Sequence, residues 1–181
     1  MEEDKVNTSW RTVSRRYAFS DPDGSLGRMA RDGATIEELR CSAPAQYHGC
    51  SEIIGNKAIN KGLQYMIEAL TRINPAAVLW DATNAKIVVG DQSAPAEETQ
   101  TQLEAQRLGT NSQAMGMDAG FPKREGQTMV FRASFLSGVA CWDWLEWGVS
   151  NGVVLLNRKV DNVGTKPEFD LWIFEVGITW K

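Results

Sequence analysis

Histidine is almost missing from this 181-residue chain, in which His48 is the only one. That excludes metal sites built on several imidazoles and leaves a Ser-His-Asp or Cys-His catalytic site a single residue on which to rest. His48 lies between Tyr47 and Gly49 in a stretch that reads as loop, so an exposed or locally hydrogen-bonded imidazole is expected. Cysteine is scarce too: Cys41, Cys50 and Cys141 are odd in number and too widely spaced for a zinc knuckle. They read as buried or incidental thiols. A Cys41–Cys50 bridge would close only a short loop, and reducing cytosol argues against it. Basic excess is absent, with 19 Lys and Arg against 23 Asp and Glu. A nucleic-acid partner has no electrostatic footing here. No apolar run approaches the ~20 residues of a membrane-spanning helix, and Met1-Glu2-Glu3-Asp4-Lys5 is not a signal peptide, so synthesis and folding in the cytosol without membrane attachment are expected. Gly55-Asn-Lys-Ala-Ile-Asn-Lys-Gly62 lacks the Gly-Lys-Ser/Thr ending of a phosphate loop, and no cofactor is expected.

What the chain does have is tryptophan. Of seven, three fall within Trp142-Asp143-Trp144-Leu145-Glu146-Trp147. Such a cluster anchors a core or an interface. On a regular strand Trp142, Trp144 and Glu146 would face one way, and Asp143, Leu145 and Trp147 the other. Both faces would then carry aromatic surface, which a lone domain rarely leaves wet. With 43% hydrophobic residues the chain can bury a core, expected over residues 56–181, preceded by an N-terminal hairpin and irregular arm over residues 1–55.

In chain order, Trp10 to Phe19 reads as a strand with Val13, Tyr17 and Phe19 on one face and Arg15 interrupting it. Ser20-Asp21-Pro22-Asp23-Gly24 is a turn signal after which a hairpin is expected. A calcium loop is not, because Leu26 stands where such a loop needs Gly. Arg28 to Gly55 reads as irregular apart from a helical turn at Thr35–Leu39, where Thr35 and Glu38 fit a capping box. From Asn56 to Ile73 the spacing of Ile59, Leu63, Met66, Ile67 and Leu70 predicts an amphipathic helix packed on a sheet. Asn56 would be its N-cap, and Gly62 within it suggests close backbone approach. Ala77–Trp80 and Lys86–Gly90 read as strands, and the acidic tract from Asp91 to Gln106, free of Lys and Arg, as a surface-hugging loop. Its functional reading would be an acidic lip meeting a basic neighbouring subunit. Beyond Thr110 come the strand-like units Met115–Met117, Gln127–Phe135, Asp143–Val149, Val153–Val160 and Leu171–Trp180. Asn151-Gly152 is the best hairpin signal among them. The fold class is therefore mainly β (α+β), an antiparallel β-sandwich with one packed amphipathic helix.

Chemistry is less legible. Asp143 and Glu146 beside tryptophan suggest a glycosidase pair, but opposite faces of a strand cannot flank one bond. Arg132 and Arg158 alternate with apolar neighbours and need carboxylate partners, since an unpaired charge within an aromatic sheet costs several kcal/mol. Glu146 is expected to bond Arg132 or Arg158 across strands, with Asp161 as another candidate carboxylate. No catalytic, metal or cofactor-binding residue is assigned. Trp142, Trp144, Trp147, Glu146, Arg132 and Arg158 are read as interface or packing residues.

Several stretches resemble a group of tailed-bacteriophage structural proteins: Lys86 to Ala94 with Thr101-Gln102-Leu103, Met117 to Thr128, Phe131-Arg132-Ala133-Ser134-Phe135, Trp144 to Val149, Leu156 to Val160, and Gly164-Thr165-Lys166. That group also opens with a Trp-initiated strand, an Asp-Pro-Asp-Gly turn and a helix like Asn56 to Leu70. The chain is similar as well to β-rich tail-collar and tail-fibre modules, although Arg28 to Gly55 is longer than the expected linker. The resemblance implies a non-enzymatic virion component, assembled in the host cytoplasm as a symmetric ring or trimer. Its partners would be other virion proteins at the tail, neck or a fibre. The alternative is a module that binds host glycan through the same tryptophans.

Overall fold

The computed structural model describes residues 10–180; the acidic opening Met1 to Lys5 lies outside them. Ten strands form two antiparallel five-stranded sheets. The first contains β1 (Trp10–Ser20), β2 (Tyr47–Ile54), β6 (Lys123–Glu125), β7 (Thr128–Phe135) and β10 (Asp170–Trp180) in the order β2-β1-β10-β7-β6. The second contains β3 (Lys57–Ala58), β4 (Lys86–Gly90), β5 (Ser112–Gly116), β8 (Asp143–Ser150) and β9 (Leu155–Thr165) in the order β3-β9-β8-β4-β5. Four α-helices lie outside the sheets: α1 (Ser25–Arg31), α2 (Ile36–Ser42), α3 (Asn60–Thr71) and α4 (Glu104–Leu108). This is the expected β-sandwich with a helix against it.

The main core lies between the sheets. From the first sheet come Phe131, Ala133, Phe135, Trp172, Phe174, Val176 and Ile178, and from the second Ile87, Val89, Trp144, Trp147 and Val149, all buried. The clean alternation of β10 sets one side of this core, because Trp172, Phe174, Val176 and Ile178 all face inward. A second cluster of Phe19, Leu26, Ala30, Leu39, Leu171 and Ile173 sits on the outer face of the first sheet under α1 and α2. A third, Ile59, Val88, Leu103 and Leu155, covers the outer face of the second. The molecule thus has four layers, with helices and loops outside both sheets.

Several expectations need correction. After the Asp-Pro-Asp-Gly turn comes α1, not a hairpin, because the Asp21 carboxylate accepts from the Leu26 and Gly27 amides at 3.1 and 2.8 Å and satisfies the helix's first free N–H groups. Arg28 to Gly55 is not irregular: the Thr35/Glu38 capping box opens α2 as expected, and the chain then returns as β2 beside β1. The segment before residue 56 therefore supplies two strands to the sheet containing β10, and β1 pairs with β10 along its whole length. In β1 the inner face carries Thr12, Ser14 and Ala18, whereas the bulkier Val13, Tyr17 and Phe19 point outward. α3 begins at Asn60 with Ile59 as its N-cap, later than Asn56, because Lys57 and Ala58 pair with Arg158 and Asn157. Ala77–Trp80 is not a strand; the Val78 amide donates to the Tyr65 hydroxyl oxygen (3.0 Å), and Val78 O accepts from Asn151 Nδ2 (2.7 Å). His48 lies in β2 and is exposed, as are Cys41, Cys50 and Cys141, all three free thiols.

Candidate functional site

The tryptophan cluster is core. Trp144 and Trp147 have no exposed surface, and both pack into the inter-sheet layer. Their rings meet Phe135 at 4.5 Å and Trp172 at 4.9 Å (Trp144) and Phe174 at 5.2 Å (Trp147). Strict alternation would have put them on opposite faces. The β8–β9 ladder, however, slips by two residues between the Trp144–Gly164 and Glu146–Val160 pairs. A bulge of this kind resets which face each side chain takes, so Trp144, Trp147 and Val149 all turn inward. Trp142 is half-buried at the rim of the same core.

Glu146 turns the other way, onto the outer face of the second sheet. It accepts from Arg158 Nε at 2.6 Å and from the Glu104 and Ala105 amides at 3.1 and 2.7 Å. The rest of the Arg158 guanidinium donates to Ala94 O, Pro95 O and Gln100 Oε1 at 2.8–3.0 Å. The acidic tract is pinned to the sheet by this pair. That is why it hugs the surface. Arg132 is not a partner of Glu146. It lies on the first sheet, bonded through Nε to Asp118 at 2.9 Å and through Nη2 to Ala30 O and Ala34 O, each at 2.9 Å. Ser134 adds its hydroxyl and amide to the same carboxylate. Each sheet therefore carries one buried arginine–carboxylate pair on its outer face that ties an outer layer down. The Lys166 ammonium is buried as well, donating to Leu136 O at 3.0 Å and to Asp170 O at 2.5 Å.

Burial shifts several of these groups. Desolvation pushes the Asp118 carboxyl up against the opposing pull of Ser134 and Arg132. It raises Glu175 despite Arg132, Tyr17, Lys123 and Arg15 nearby. It lowers Lys166. Asp143 is exposed and accepts from the Thr165 hydroxyl, far from the role of Glu146. Among the described residues no group of three or more His, Cys, Asp and Glu could hold a metal ion, and no helix is long and apolar enough to cross a membrane.

The feature that faces outward is the second half of α3. Its apolar stripe starts in the core with Ile59, where Gly62 lets the helix meet the Leu155 carbonyl; a Cβ at Gly62 would lie 2.0 Å from that oxygen. Leu63 and Met66 still touch the core, but the stripe then leaves it. Ile67, Leu70 and Ile73 are 56%, 76% and 77% exposed, and Leu79 on the next segment 51%. Between helix and sheet runs a groove of about 640 Å³ lined by Met66, Ala69, Leu70, Leu79, Trp80 and Met129. Scattered single apolar residues are normal on a surface, but Leu70 and Leu79 face each other across one apolar groove, with Ile67 and Ile73 exposed outside its lining, and a patch of this kind marks an interaction site. What such a site can do is bury an apolar partner; only Asp81 brings a charge to it.

Of the two arginines the sequence offered Glu146, Arg158 is its partner and Arg132 is not, and of the tryptophans read as interface or packing residues, Trp144 and Trp147 pack in the core. Sequence reasoning missed Asp118, although Asp118 lies in the Met117–Thr128 stretch singled out above. It also missed the groove, whose Leu79 and Trp80 were read as strand. No protein-family model, curated protein or solved structure matches this chain.

Proposed function

We propose that the protein is a non-enzymatic structural component of a tailed-bacteriophage particle, one that attaches a tail, neck or fibre element to its neighbours. The observation that carries this is the outward apolar face of α3 with its groove. It offers an apolar docking surface whose one charged lining residue is Asp81, held on a rigid sandwich. The resemblance of Met117 to Lys166 to phage structural proteins supplies the context. Those same stretches hold Asp118, Arg132, Glu146, Arg158 and Lys166, the buried polar groups that keep the outer layers in place. The partner is a neighbouring virion protein that inserts apolar side chains beside Leu70 and Leu79.

The glycan-binding alternative rests on stacking by tryptophan. Trp144 and Trp147 present no ring to solvent, which leaves half-buried Trp142 as the one tryptophan of the cluster on which that reading can rest. Mass measurement in solution, with and without other virion proteins, tests the proposal. A complex that forms through the α3 face is expected, and a chain that stays alone whatever virion protein is added would refute it.

A further inference from the structure

A cleft of about 510 Å³ opens between β1, β2 and the chain from Thr165 to Trp172. Small residues make its floor. Gly49 stands opposite Ala18, and Ala18 opposite Trp172, so in this rung two residues with almost no side chain share the inner face with one large ring. A Cβ built at Gly49 would meet nothing within 4 Å. The β1–β2 ladder then skips His48, passing from the Ala18–Gly49 pair to Phe19–Tyr47. An extra residue of this kind re-aims its side chain, and His48, the only imidazole in the chain, lines the cleft.

Arg16 and Asp170 line it too, and neither has an ion-pair partner among the described residues. Arg16, half-buried, stacks its guanidinium 4.3 Å from the Trp172 ring centroid and donates through Nη1 to Val163 O. Its Nε is buried without an acceptor, and Nη2 makes no bond among the described residues. Burial pulls its pKa below the usual arginine value. A guanidinium that has lost water without gaining a carboxylate is costly, and an oxyanion is the partner its fork fits. The Asp170 carboxylate, also half-buried, accepts no hydrogen bond from the described residues, while the buried Lys166 ammonium donates to the Asp170 backbone carbonyl and offsets the acid's charge.

We propose that the cleft binds a small organic acid whose carboxylate sits on Arg16 Nη2 and the His48 N–H, and whose hydroxyl or ammonium donors reach Asp170. The Arg16 bond is charge-assisted, and the imidazole offers one donor even when neutral. Asp170 repels a bare anion and rewards one that brings a donor of its own. Sulfate, with two charges and no donor, is therefore refused. The cleft shares no residue with the α3 groove, so this site and the attachment surface can fail independently.

The test uses the isolated full chain, isotope-labelled for NMR and titrated at neutral pH and constant ionic strength with glycine, glucuronate, acetate and sulfate. Glycine brings an ammonium and glucuronate brings hydroxyls, so the two distinguish amino acids from hydroxy acids as the source of the donor. At least one of them should saturably shift the amide signals of Gly49, Cys50 and Thr165 and the Trp172 indole signal, at lower concentration than acetate; sulfate should not. Arg16→Gln should weaken binding at least about tenfold, as loss of one charge-assisted bonding group does. Because that change also removes the bond to Val163 O, exposed His48→Ala gives a second measurement, with a loss of about threefold expected and the rest of the spectrum unchanged. Asp170→Asn should abolish the preference over acetate. No saturable shift with glycine or glucuronate up to tens of millimolar, sulfate bound as tightly as either, or binding that survives both Arg16→Gln and His48→Ala unchanged would each overturn the proposal.

Discussion

Arg158 Nε stands 2.6 Å from Glu146 Oε2, and neither side chain has any exposed surface. The two are diagonal neighbours across β8 and β9, since Arg158 is opposite Gly148 and Glu146 opposite Val160. Removing one member strands a buried charge and frees the loop over Ala94 to Gln100. Glu146→Gln or Arg158→Met should each cost about 3–5 kcal/mol. In a double-mutant cycle read by urea unfolding, this pair should couple by more than about 1 kcal/mol, whereas Glu146 and Arg132, on different sheets, should be additive within about 0.5 kcal/mol. Additivity at Glu146 and Arg158 would mean the contact is not energetically real.

Gly62→Ala should destabilise the chain. In an ordinary helix interior this change gains about 1 kcal/mol from propensity. Here the new methyl would sit 2.0 Å from Leu155 O and 2.8 Å from Leu156 Cα, both backbone atoms that cannot step aside without moving β9. Loss of thermal stability, measured by circular dichroism, is the expected outcome; a gain would show that α3 does not rest on β9.

Glu175 gives the stability a pH dependence of definite sign. Its folded-state pKa is raised from the ordinary 4.5, with burial as the main cause. The folded chain then holds this proton longer than the unfolded chain does. Its contribution to stability is full at low pH and falls as pH rises from the ordinary carboxylate value through the folded-state value. Glu175→Gln, neutral at every pH, should be more stable than wild type at pH 7 and indistinguishable from it near pH 3. Urea midpoints at the two pH values check this, and a difference independent of pH would contradict it.

Leu70→Asp and Ile73→Asp separate docking from folding. Both side chains are about three-quarters exposed, so each change should alter stability by no more than about 0.5 kcal/mol. Incorporation into particles should fall at least tenfold, measured by mass spectrometry of purified virions. Normal incorporation of both variants would remove the α3 face as the attachment surface.

Local signals carried much of the fold. The alternation of Leu171 to Trp180, the Asn151-Gly152 turn, the Thr35/Glu38 box and the helical spacing after Ile59 each depend on neighbours close in sequence, and each appears in the structure. What was not legible depends on distant contacts. The Asp21 turn leads to a helix because its carboxylate caps one, a role that a turn signal does not distinguish from a hairpin. Trp144 and Trp147 share a face only because two extra residues of β9 bulge opposite Leu145. β2 looked irregular because Gly49 and a mixed polar sequence hide a strand whose partner, β1, lies about thirty residues earlier. The apolar stripe of α3 was rightly helical, but no local feature says that its last turns leave the sheet.

The most direct measurement is a reconstruction of the phage particle at a resolution that shows side chains. The account predicts this sandwich at the tail, neck or a fibre base, with another virion protein filling the groove between Leu70, Leu79 and Met129. Complete particles that lack the chain, or that hold it with the α3 face open to solvent, would contradict it.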